Sequence, residues 1–261
     1  METIPVGIEE FLVSGVFAFM LIFTRLGTAF MIMPGIGDSF IPNNIRLMMA
    51  LGISFVLTPV VMPYMPDPVP AFPILLSLVF MEFVIGLFIG TIARVFMIAL
   101  DVAGMLISTT SGLANAQVFN PSLASQGSIT GAFLSMTGVV LLFATDMHHM
   151  LIYGIVESYQ MFPVGAVPDT GSMAQMMTQA FSASFLIGFQ IAIPFVVVAI
   201  LLYIGMGVLS RLMPQVQVFI LALPVQIVLS LLTLALVLST AMLFWLTKFE
   251  NGMIFFLSSA G

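Results

Sequence analysis

Residues 71–100 read AFPILLSLVFMEFVIGLFIGTIARVFMIAL, a run in which Glu82 and Arg94 are the only charged side chains. As one helix this run rises about 45 Å at 1.5 Å per residue. The hydrocarbon core of a bilayer is about 30 Å thick, and the strands of a membrane barrel are only about ten alternating residues long. The stretch therefore predicts a long membrane helix, and the rest of the chain repeats the pattern.

Five further apolar runs flank it: Phe11 to Met33, Ile45 to Met62, Ile129 to Val156, Phe181 to Leu209 and Val216 to Leu246. The turns between them carry Pro34-Gly-Ile-Gly-Asp38, Ile41-Pro-Asn-Asn44, the proline-rich Pro63 to Pro70, the segment Glu157 to Thr178, and Arg211-Leu-Met-Pro214. The predicted fold class is all-α: six long apolar segments forming tilted or kinked helical hairpins, in a single domain over 1–261. Tilt or a break such as Pro194 is one way to absorb the excess length, and a rise out of the bilayer into a protein assembly is the other.

Composition agrees. The chain is 61% hydrophobic and 6% charged, with a mean hydropathy of +1.23, whereas soluble domains carry about 25% charged residues. Cysteine is absent, which excludes disulfides and thiolate metal sites. The net charge of -6 argues against nucleic acid as a partner. The start, METIPVGIEE, is acidic where a secretory signal would be basic. With the N-terminus outside, Arg25, Arg46, Arg94 and Arg211 lie towards the cytoplasm and Lys248 alone lies outside, as the positive-inside rule favours. Methionine is abundant, with 22 residues; its flexible thioether fills irregular gaps and suits adaptable surfaces.

The longest polar interruption is STTSGLANAQVFNPSLASQGS, residues 108–128. Gly112, Asn120-Pro121 and Gly127 form turns. Disordered segments tend to be charged and poor in large apolar residues, whereas this one is uncharged and keeps Leu113, Val118, Phe119 and Leu123. It reads as a loop that packs on something.

Charge at membrane depth is costly and faces a protein interior or a wet cavity. Arg25, Glu82 and Arg94 are the candidates, read as structural ion pairs before a proton relay, for which Glu82 is the one clearly placed carboxylate. Arg94 and Asp101 lie seven residues apart, two turns along one helix face, too far to touch. Asp146, His148 and His149 resemble a metal set, but adjacent histidines diverge by about 100° on a helix. Two donors at best share a face, so polar helix–helix contact is the expected role and no metal is assigned. Gly86-x-x-x-Gly90 permits close helix approach. No hydrolase elbow, phosphate loop or dinucleotide fingerprint is present, so catalytic and cofactor residues are assigned to none.

The segment GVLSRLMPQVQVFILALP, residues 207–224, closely resembles the signature of the FliR family of flagellar type III export-gate proteins, homologous to the injectisome SctT family. The matching positions are Gly207, Arg211, Pro214-Gln215, Val218-Phe219 and Pro224. Arg25, Pro34, Pro42 and Arg46 are similar to the family's N-terminal pattern. Asp101 and Gly104 before a loop ending in Asn120-Pro121, Asp146-Met-His-His149, and Ser158 with Phe162-Pro-Val-Gly165 agree as well. Met147 stands where the family has glycine, and Gln226 where lysine is common.

That resemblance implies a non-enzymatic subunit that assembles with FliP and FliQ, and with FlhB, at the entrance of a channel for unfolded flagellar substrates. It implies an assembly raised largely above the bilayer plane of the bacterial inner membrane, in the flagellar basal body. It also makes the central loop, taken as 107–128, a pore plug formed by Met105, Ser108, Gly112, Leu113, Asn115, Val118, Phe119, Asn120, Pro121 and Gly127. Structural or partner-interface roles fall to Arg25, Pro34, Pro42, Arg46, Glu82, Arg94, Asp101, His148, His149, Gly207, Arg211, Pro214, Gln215, Phe219 and Pro224. Membrane lipid is a further expected partner. The competing readings are an injectisome gate subunit, an ion-coupled secondary transporter and, least supported, an intramembrane enzyme.

Overall fold

Long apolar runs become long helices. The structure, a computed structural model, describes residues 8–66, 71–114, 128–213 and 218–258. Among them are α1 (Ile8–Ile32), α2 (Asn43–Val61), a 3₁₀ turn (Met62–Tyr64), α3 (Phe72–Thr110), α4 (Ile129–Ala144), α5 (Met147–Met161), α6 (Thr170–Leu212) and α7 (Val218–Ser258). No strand occurs among the described residues. Five helices are long and apolar enough to cross a membrane, and α4 with α5 counts as a sixth candidate if the broken pair is one span. The chain is thus an all-α membrane protein.

Three boundaries differ from the sequence expectation for a local reason. Helix α3 runs on to Thr110, so Ser108 is helical and the loop starts at Ser111. The hydroxyls of Thr109 and Thr110 donate back to the carbonyls of Met105 and Leu106, so these polar side chains find acceptors within the helix they belong to. Helix α6 begins at Thr170, well before Phe181. The Asp169 carboxylate accepts from the amides of Gly171 and Ser172 at 3.0 and 3.3 Å, and from the Ser172 hydroxyl, satisfying donors that a helix start leaves open.

The run Ile129 to Val156 is two helices, broken at Thr145-Asp146, where Asp146 adopts a left-handed φ of 59°. Pro194 lies inside α6 and Pro224 inside α7 without ending either. Pro194 therefore does not provide the break expected of it.

The chain divides into two compact units. The first comprises Met1–Arg94, Asp146–Thr178 and Met253–Gly261. In it α1 lies against α3 at two glycines. A Cβ on Gly86 would collide with Thr28 Oγ1 and the Arg25 carbonyl, and one on Gly90 would come within 2.8 Å of the Ala29 carbonyl. The Gly-x-x-x-Gly spacing thus serves packing within the chain. Phe17, Leu21 and Leu78 form one apolar cluster, and Ile22, Val61 and Tyr159 another.

The second unit comprises Val95–Thr145 and Gln179–Gly252. Its hub is the C-terminal part of α3. Helix α4 crosses it where a Cβ on Gly104 would strike the Gly131 backbone, and α6 crosses where a Cβ on Gly188 would come within 2.6 Å of the Ala99 carbonyl. Two neighbouring carbonyls of α3 accept bonds from other helices: Val95 from the Ser184 hydroxyl of α6 at 2.6 Å, and Phe96 from the Trp245 indole of α7 at 3.0 Å. Such polar contacts compensate for the weak hydrophobic drive between helices in lipid.

Candidate functional site

Two polar nodes stand out in the apolar interior, one in each unit. In the first, Arg25 of α1 and Glu82 of α3 are fully buried. Arg25 Nε and Nη2 donate to the two carboxylate oxygens of Glu82 at 2.5 and 2.9 Å. Nη1 donates to Ser158 Oγ at 3.0 Å, and Nη2 also donates to the Phe162 carbonyl at 2.9 Å. The guanidinium lies 3.7 Å over the Tyr159 ring. Each nitrogen of the cation has an acceptor, as buried charge requires. This bidentate geometry is a structural ion pair whose partners the sequence did not specify, and both carboxylate oxygens of Glu82 are held in it.

The turn between α1 and α2 is a second set of cation contacts in the same unit. Arg46 Nη2 donates to the carbonyls of Asp38 and Ile41 at 2.9 and 3.1 Å. Asp38 accepts from the Gly35 amide and is paired with Arg94. Pro34 is buried and Pro42 exposed, flanking this turn. Arg94 therefore reaches Asp38, while Asp101, in the other unit, accepts from the Ser135 hydroxyl at 2.5 Å.

The second node closes the end of α3. Ser108 and Ser111 are buried, and Gly112, with φ of 76°, turns the chain so that the Ala114 amide returns to the Ser108 carbonyl at 3.0 Å. Gln226 of α7 donates through Nε2 to the Thr110 carbonyl at 2.5 Å and to Tyr203 Oη of α6 at 3.1 Å. Met105 is exposed on α3 and Leu113 is half-buried. Asn115, Val118, Phe119, Asn120, Pro121 and Gly127 lie outside the described residues, as do Pro214 and Gln215. So does the side chain of Phe219, whose backbone is in α7. Gly207 and Arg211 are exposed near the end of α6, and Pro224 is exposed on α7.

At the bend between α4 and α5 the structure does what a regular helix would not. The donor atoms of Asp146, His148 and His149 lie within 4.8 Å of one another, and the two imidazole centroids are 4.1 Å apart. Three donors converge here, not two, because the left-handed Asp146 precedes the first turn of α5. All three come from one short stretch of chain and none is buried. Nearby in sequence, α5 lines a cavity of about 60 Å³ whose walls include Met33, Met150, Met161, Met176 and Met253. The methionine abundance thus serves gap filling in the first unit.

The sequence reading singled out Arg25 and Glu82 but not Tyr159, Tyr203 or Trp245, and it marked Gln226 only as a departure from a pattern. A signal was present. A polar side chain inside a 41-residue apolar helix has to find a partner, and the chain's single tryptophan carries a donor that needs one when buried.

Long apolar helices cinched by glycine crossings and a buried ion pair define an integral membrane protein. Comparison with known proteins specifies the class. Residues 16–252 match the family described as bacterial export proteins, family 1, and the chain belongs to that family, which includes FliR. The flagellar biosynthetic protein FliR of Caulobacter vibrioides is 38% identical over 90% of this chain and 94% of its own length. FliR of Bacillus subtilis is 30% identical over 85% of this chain and 86% of its own. The Yop proteins translocation protein T of Yersinia pestis is 32% identical over 60% of this chain and 61% of its own length. The chain is a component of flagellar or type III protein export.

Proposed function

We propose that the chain is a non-enzymatic subunit at the entrance of the flagellar export channel. It assembles there with FliP- and FliQ-type subunits and contacts an FlhB-type subunit. The N-terminus is on the periplasmic side of the bacterial inner membrane. The observation that carries this reading is the apolar length of α7. The span Ala222–Ile254 has 33 residues, and 11% of its most apolar window is buried within the chain. That span is about 50 Å long at 1.5 Å per residue. Even at a tilt of about 40°, the top of the usual range, it covers roughly 38 Å against a core of about 30 Å. Apolar surface is left over, and other protein must cover it.

The C-terminal part of α6 and the start of α7 add a receptive shape. A groove of about 830 Å³ runs between them, with walls from Val198, Leu201 and Leu209 on one side and Ala222, Val225 and Leu229 on the other. Every lining residue is apolar, which suits the side chains of a neighbouring helix. In this arrangement the α3–α4 loop, which starts at Ser111, plugs the closed channel and is displaced by unfolded substrate. The elbow from Arg211 to Phe219 faces a partner subunit. Coverage favours the flagellar system over an injectisome, since the FliR relatives match over most of the chain and the Yersinia protein over 60%. The transporter reading loses its carboxylate, because both oxygens of Glu82 are held by Arg25.

Co-expression with the FliP and FliQ homologues encoded in the same genome, followed by tagged purification and native mass spectrometry, tests the proposal. One discrete complex containing all three chains is expected. A stable, monodisperse species of this chain alone, in the presence of the other two, would overturn it.

A further inference from the structure

Thr110 is the last residue of α3, and its carbonyl is one of the acceptors that a helix end leaves without an intrahelical partner. Gln226 supplies the missing donor, and the same nitrogen donates to Tyr203 Oη. Gln226 is buried, so water does not offer an easy substitute. One carboxamide nitrogen therefore joins three helices at one point: the end of α3, the C-terminal part of α6 and the start of α7. The residues that follow Thr110 are held closely as well. Ser111 is fully buried, its hydroxyl donates to the Ser108 carbonyl, and it accepts from the Leu113 amide.

The lever arms on the other side are the two helices with the widest bare apolar faces. On α6, Leu201, Ile204, Val208 and Leu212 are exposed, and on α7 Val225 and Val228 flank Gln226 in the same condition. We propose that Gln226, seated by Tyr203, is a positioning residue that couples the α6–α7 pair to the root of the α3–α4 loop. A displacement of α6 against α7 by a partner subunit or an entering substrate releases the Thr110 carbonyl and frees Ser111 to Ala114. The joint is neutral, so breaking it strands no charge. A donor is the essential feature, because the group to be held is a carbonyl.

The inference rests on the reading of the loop as a channel plug, and the test separates the two. In the co-expressed complex, hydrogen exchange is followed at residues 111–114 together with passive ion conductance. Gln226→Leu is expected to raise exchange there by roughly ten-fold, the worth of one buried hydrogen bond, and to raise conductance with it. Gln226→Lys, which keeps N–H donors, returns both towards the unsubstituted complex. Tyr203→Phe removes only the acceptor hydroxyl and gives a smaller rise; it also serves if Gln226→Leu fails to assemble. Unchanged exchange at 111–114 in the assembled variants overturns the inference. Raised exchange with flat conductance also overturns the coupling, provided that deletion of residues 112–120 raises conductance. If that deletion leaves conductance flat, the plug reading fails instead, and exchange alone decides whether Gln226 positions the end of α3.

Discussion

In the first unit, α1, α3 and α5 meet at a guanidinium and a carboxylate with no exposure to solvent. In the second, the hydrogen bonds described between α3 and α6 or α7 come from neutral groups: a serine hydroxyl, an indole and a carboxamide. The same task is done with opposite chemistry. A buried ion pair is stable only while both partners and their surrounding hydrogen bonds are present, so its failure is abrupt. Neutral joints contribute about 1 kcal/mol each and break one at a time. A region whose contacts fail singly suits movement, and a region whose contacts fail together suits anchoring. The proposed partner groove and the loop root both lie in the second unit.

The largest expected effect comes from breaking the charged joint. Arg25→Ala leaves Glu82 buried and unpaired, a cost of about 3–5 kcal/mol, and recovery of assembled complex should collapse. The double variant Arg25→Met with Glu82→Leu removes both charges and should restore much of that recovery, measured by yield of complex after solubilisation. A double variant no better than the single one would break the contrast between the units.

A smaller effect follows at the α3–α4 crossing. Gly104→Ala places a methyl against the Gly131 backbone, which cannot yield as a side chain would, so a loss of about 1–3 kcal/mol is expected. The control is Gly52→Ala, exposed on α2 with nothing within 4 Å, where helix propensity favours alanine by about 1 kcal/mol. Thermal melting of the purified complex distinguishes them: the first should lower the transition and the second leave it unchanged or raise it.

The smallest effect belongs to the start of α6. Hydrogen bonds from the Ser172 hydroxyl, and then from the Gly171 and Ser172 amides, hold the Asp169 carboxyl below its usual pKa. A carboxylate with a depressed folded pKa stabilises above its unfolded value, and that contribution disappears as pH falls through the folded one. Amide exchange at Gly171 and Ser172 should therefore accelerate on acidification below the ordinary aspartate range. Asp169→Asn should flatten that dependence while keeping a capping oxygen. An unchanged pH profile in the variant would remove Asp169 as its source.

Much of this was legible in the residues. The apolar runs gave the class and the approximate places of all the helices, because a bilayer rewards length and hydrophobicity in a way that any reader of residues 71–100 can count. The motif at 207–224 led to the family that the comparisons establish. Boundaries were misread where local hydrogen bonding overrode composition. Thr109 and Thr110 look like loop residues yet prolong α3, and Asp169 starts a helix eleven residues before the apolar run.

What the sequence alone determined was thus an all-α membrane protein with costly charges at Arg25 and Glu82 and an uncharged central interruption. Composition and periodicity are properties of single segments, and they need no knowledge of neighbours. Which charge meets which, that Gly86 and Gly90 receive α1, that Asp146, His148 and His149 converge at a bend, and that Gln226 ties three helices were decided only by tertiary structure. Each of these depends on pairs separated by many residues or on a local departure from helical geometry, and a carbonyl such as that of Thr110 carries no mark in the sequence until a donor from another helix is folded against it.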